Sequence, residues 1–132
     1  MMSSQKEGKL AAPSLEDLIK DELAAFMSRS GGDVSGALVA RRDGLPVAYI
    51  MPTGDPKLVA AMWALARGAL VRFGEELKLG ELKHAIVQYE DRLVLTKAIK
   101  GLCLVALASP NANVGLLLLE LDRLTDRLAE LI

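Results

Sequence analysis

One histidine, His84, and one cysteine, Cys103, occur in the 132 residues, and the chemistry either could do needs company. A zinc site takes three or four converging ligands, and an activated thiol takes a neighbouring base or a second cysteine. Cys103 stands between Leu102, Leu104 and Val105, which reads as a small buried hydrophobe, and a lone cysteine forms no intrachain disulfide. His84 has no Cys or second His near it in sequence and reads as a satisfied sheet residue. The paired acids Glu75-Glu76 and Glu90-Asp91 fall at a helix end and in a turn, without metal-ligand partners nearby, and are assigned to solvent. Gly31, Gly32 and Gly36 lack a following Gly-Lys-Ser/Thr and join a helix to a strand, so they are a helix stop and linker instead of a phosphate loop. Arg67 and Arg72 could serve as fingers on a nucleotide-hydrolysing partner, but the expected state of each is solvated or salt-bridged. No catalytic residue, metal or cofactor is expected from this set.

The elements that carry these residues follow from periodicity. Pro13-Ser14 followed by Asp17 opens a helix, with the Ser14 hydroxyl set to accept from the Asp17 amide, and Leu15, Leu18, Ile19, Leu23 and Phe26 give it one apolar face. Ala37 to Arg41 and Val47 to Met51 form a hairpin around Arg42-Asp43-Gly44-Leu45-Pro46, where Gly44 supplies positive φ. Asp55 caps a long helix with Pro56 at its first position, running to about Lys78. Three strand-like segments, Lys83 to Tyr89, Leu93 to Ile99 and Leu102 to Ala108, make an antiparallel meander, and the last, apolar on both faces, belongs at the sheet's centre. A final helix from Val114 carries Leu117, Leu121, Leu124, Leu128 and Leu131, with Glu120, Asp122, Arg123, Asp126 and Arg127 expected in solvent around them.

The long helix is the most informative element. Val59, Met62, Ala66, Leu70, Phe73 and Leu77 form a stripe of mostly large side chains, the expected contact with the sheet. Nearly opposite lie Ala60, Ala61, Ala64, Leu65, Gly68 and Val71, in which Ala60, Ala64 and Gly68 place small residues one turn apart, a row that admits a second backbone. Trp63, at the border of the two, is expected in a core, the chain's own or a dimer's.

Composition agrees with a buried second face. The chain is 52% hydrophobic, high for one small domain, so part of its apolar surface is expected against another chain. Sixteen basic residues against 17 acidic, with no basic stripe, argue against nucleic acid. Met1 to Lys9 holds no signal-like apolar run, and no stretch approaches the roughly 18 apolar residues of a membrane span, so a cytoplasmic protein without membrane insertion is expected.

The order helix, two strands, long helix, three strands, helix resembles the Roadblock family of dynein light chain type, in particular its prokaryotic MglB-like branch. The residues that carry the likeness are Gly36-Ala37-Leu38-Val39, Asp43-Gly44-Leu45-Pro46-Val47-Ala48, the Ala-rich helix after Asp55, Gly101-Leu102-Cys103-Leu104-Val105-Ala106, and Asn113-Val114-Gly115-Leu116. The expected fold class is α/β of the α+β type: a layered α/β/α domain over residues 14–132, order α-β-β-α-β-β-β-α, with a five-stranded, mainly antiparallel sheet behind a flexible tail of residues 1–13. The resemblance implies a dimer in which two sheets join edge to edge and the central helices lie side by side. It further implies a small Ras-like GTPase as partner of a non-enzymatic homodimeric scaffold or GTPase-activating regulator. The residues expected at the dimer or partner interface are Ala60, Ala61, Ala64, Leu65, Gly68, Val71 and Arg72 on the central helix, with His84, Ile86 and Gln88 on the third strand. The alternatives are a small-molecule-sensing domain, with its ligand between sheet and helix, or an adaptor subunit of a larger complex without a GTPase.

Overall fold

Side-chain caps begin the three helices found among the described residues, which in this computed structural model are 12–132. The Ser14 hydroxyl accepts from the Asp17 amide at 3.1 Å, the Asp55 carboxylate from the Lys57 amide at 3.0 Å, and the Asn113 side chain from the Leu116 amide at 3.1 Å. In chain order the elements are α1 (Leu15–Arg29), β1 (Val34–Arg41), β2 (Pro46–Ile50), α2 (Pro56–Glu76), β3 (His84–Gln88), β4 (Leu93–Ile99), β5 (Leu102–Ala108) and α3 (Val114–Leu131). Most of the expected tail, residues 1–11, lies outside the described residues. β1 starts earlier than its apolar run suggests, because Gly31 and Gly32, both at positive φ, end α1 abruptly and leave Val34 free to pair with Ala108.

The five strands form one sheet in the order β2-β1-β5-β4-β3, every pair antiparallel. β5 is central, as its two apolar faces require. The β1–β2 turn closes through Gly44 at φ 93°, with the Arg41 amide donating to the Leu45 carbonyl at 2.8 Å. At the β4–β5 turn Lys100 and Gly101 both take positive φ, and the Lys100 ammonium reaches the Ala129 carbonyl at 2.8 Å near the end of α3.

α1 and α3 cover one face of the sheet. Ile19, Leu23 and Phe26 of α1 meet Leu117, Leu121, Leu124 and Leu128 of α3 over Val39, Leu95, Leu104 and Ala106, all fully or nearly fully buried. Glu120 departs from its expected place in solvent: it is 5% exposed and accepts from Arg29 at 2.7 Å and Arg123 at 3.4 Å. Its place on α3, three residues after Leu117 and four before Leu124, puts it on the flank of the buried stripe, turned toward the last turn of α1. α2 lies alone on the other face, over the β1–β2 side.

Candidate protein-binding surface

The face of α2 that meets the sheet is not the stripe of large residues. Ala60, Trp63 and Gly74 are buried, with Ala64, Arg67 and Val71 half-buried between them, and Trp63 packs with Leu38, Ala40, Cys103 and Val105. Met62, Phe73 and Leu77, expected against the sheet, are instead 55%, 60% and 56% exposed. The cause is the β1–β2 turn. A Cβ on Gly44 would stand 3.2 Å from the Ala61 Cα and 3.3 Å from the Ala64 Cβ, so the small residues of α2 admit the chain's own hairpin. With that side of the helix fixed against the hairpin, the bulky stripe is rotated away from the strands.

The interface residues expected from sequence therefore divide. Ala60 belongs to the core, and Ala64 and Val71 are half-buried. Ala61, Leu65, Gly68 and Arg72 point outward, Leu65 at 70% exposure, and Arg72 pairs with Glu76 at 3.3 Å. His84, Ile86 and Gln88 are exposed on β3, where they share the sheet face of α1 and α3, opposite to α2. The structure thus does not gather the helix and strand residues onto one face.

What sequence reasoning left out is the other half of β3. Ala85, Val87 and Tyr89 turn toward the α2 side, where Val87 pairs with Val94. Because α2 sits mainly over β1 and β2, the β3–β4 half of that face is only partly covered: Thr96 is buried and Ala85 and Val94 pack at the margin of the Trp63 cluster, while Tyr89 is left 62% exposed. An open groove of about 680 Å³ runs there, lined by Leu58, Met62, Trp63 and Leu70 of the helix and Val87, Tyr89, Val94 and Leu107 of the sheet. The signal was present, since alternation had set Ala85, Val87 and Tyr89 on one face; what it lacked was where the helix lay. Contiguous exposed apolar surface of this kind marks a candidate interaction site.

The two sheet edges also differ. β2 begins with Pro46, which has no N–H to offer, and lies under α1. β3 pairs only with β4, so its outer N–H and C=O groups face out from the open edge of the sheet, and its His84, Ile86 and Gln88 are exposed. The edge and the groove adjoin, so one partner can engage both. Among the described residues no helix is long and apolar enough to cross a membrane.

Comparison with known proteins agrees with this architecture. Three uncharacterized proteins of Methanocaldococcus jannaschii are 30–31% identical over 110 residues, 82% of this chain and 92–95% of theirs. The fold superposes on the gliding protein MglB of Thermus thermophilus with TM-score 0.81 at 18% identity, over 91% of this chain and 92% of that one. On Myxococcus xanthus MglB the TM-score is 0.82 at 12% identity, over 92% and 95%. The Roadblock/LC7 domain model matches residues 19–108, the span from the buried turn of α1 to the end of the central strand, and with its helix order and antiparallel sheet the chain belongs to the Roadblock/LC7 family.

Proposed function

We propose that this protein is a non-enzymatic regulatory scaffold of the cytoplasm, which pairs with a second copy of itself and presents the paired surface to a small Ras-like GTPase. The observation that carries the pairing is the open apolar groove between α2 and β3, beside a free strand edge. Two copies related by a twofold axis offer each other identical strands, which pair antiparallel, and each supplies the apolar helix flank that the other's groove lacks. β3 then continues one sheet into the next.

The groove takes up one flank of α2, that of Val59, Met62, Ala66 and Leu70. Ala61, Leu65, Gly68 and Arg72, on the opposite flank, stay outward and form the surface we assign to the GTPase. The GTPase itself comes from the likeness to MglB-type Roadblock proteins and acts here as the partner class to test. Affinity capture from the native cell, with bound proteins identified, is expected to return a Ras-like GTPase that Leu65→Asp no longer captures while remaining paired. Capture in which no GTPase recurs removes the GTPase from this reading and leaves the pairing to its own test.

A further inference from the structure

Arg67 does not behave as its neighbours do. Arg41 pairs with Asp43 at 2.7 Å and Arg72 with Glu76 at 3.3 Å, both at the surface. Arg67 faces the sheet and is half-buried, yet among the described residues it makes no ion pair and no side-chain hydrogen bond. A guanidinium carries five donors in a planar fork, and since no side-chain nitrogen among the described residues is both buried and unpartnered, those of Arg67 keep contact with solvent, where an acceptor from outside the chain can reach them.

The surroundings indicate which kind. Arg67 lines a cleft of about 410 Å³ together with Arg42, from the β1–β2 turn, and Lys78, just beyond α2. Neither of these cations has an ion-pair partner among the described residues. Glu75 and Glu81 also line the cleft, leaving it one positive charge in excess. Three cations on three separate segments suit a tetrahedral oxyanion with several acceptor oxygens better than a single carboxylate, which would leave two of them idle. The volume exceeds that of a phosphate, and the two glutamates supply acceptors for hydroxyl or amino groups on the remainder of a ligand.

We propose that this cleft binds a small phosphorylated molecule, with Arg67 as its half-buried anchor and Arg42 and Lys78 holding the phosphoryl oxygens from the rim. The site lies within one copy and does not depend on pairing.

The test is calorimetric titration of the full chain with inorganic pyrophosphate, and separately with inorganic phosphate, at low ionic strength. Saturable binding is expected, stronger for pyrophosphate and weakening with added salt. Arg67→Gln should weaken it about tenfold or more, as loss of a charge-assisted fork does. Arg42→Gln, in an exposed turn, should weaken it by a smaller factor, and Arg72→Gln, outside the cleft, should leave it unchanged. Absence of binding to the wild-type chain, or equal binding by Arg67→Gln, overturns the proposal. If Arg67→Gln does not fold, equal binding by Arg42→Gln overturns it. Light scattering on Arg67→Gln is expected to return the wild-type mass; a changed mass assigns the guanidinium to a contact between copies and also overturns the ligand site.

Discussion

The two faces of the sheet are finished differently. On one, α1 and α3 close over the strands with leucines at helical spacing, and a buried carboxylate, Glu120, binds arginines from both helices. On the other, a single helix covers the β1–β2 side and leaves large side chains such as Leu65 and Phe73 in solvent. The closed face holds the fold together, whereas the open face has apolar surface in excess of what the chain can bury. A residue's hydrophobicity therefore tells little here until its face is known, and substitutions can separate stability from association.

The largest effect is expected on the closed face. Phe26→Ala removes a ring that is 1% exposed and should cost about 3–5 kcal/mol in denaturant unfolding. The variant should keep whatever mass the wild-type protein has where it remains folded. An equal loss from Phe73→Ala, whose ring is 60% exposed, would erase the distinction between the faces. Glu120→Ala should cost less, about 1–3 kcal/mol, because it strands Arg29, whose side chain is 36% exposed and can turn to water.

Gly44→Ala probes the hinge between the two regions. Its positive φ and the 3.2 Å approach to the Ala61 backbone predict a loss of about 1–3 kcal/mol, with α2 pushed outward. Ala64→Trp, which a small-residue interface would have made the choice for breaking a dimer, would instead collide with the chain's own hairpin. The smallest effect is a gain: Lys78 follows α2 at φ 57°, and Lys78→Gly should stabilise by about 1 kcal/mol, read as a higher unfolding midpoint. An unchanged midpoint would mean that the lysine's other contacts offset its backbone conformation.

Much of this was legible in the sequence. The caps at Ser14 and Asp55, the turn at Gly44, the central position of the doubly apolar β5 and the buried Cys103 all follow from local rules that the tertiary structure respects. The orientation of α2 did not, since both of its stripes are apolar and periodicity ranks them by side-chain size alone. The deciding contact, Gly44 against Ala61 and Ala64, joins residues some 20 positions apart and has no signature in either segment alone. Glu120 was missed for a related reason, because its partner Arg29 lies 91 residues away.

The central claim is that the open face is closed by a second copy, and light scattering over a concentration series, on the wild-type protein and on Val87→Asp, tests it most directly. The account predicts twice the 14.2 kDa chain for the wild type and a single chain for the variant, whose carboxylate would be driven into the groove. A wild-type protein that stays at 14.2 kDa at every concentration, or a Val87→Asp variant that keeps the doubled mass, would contradict it.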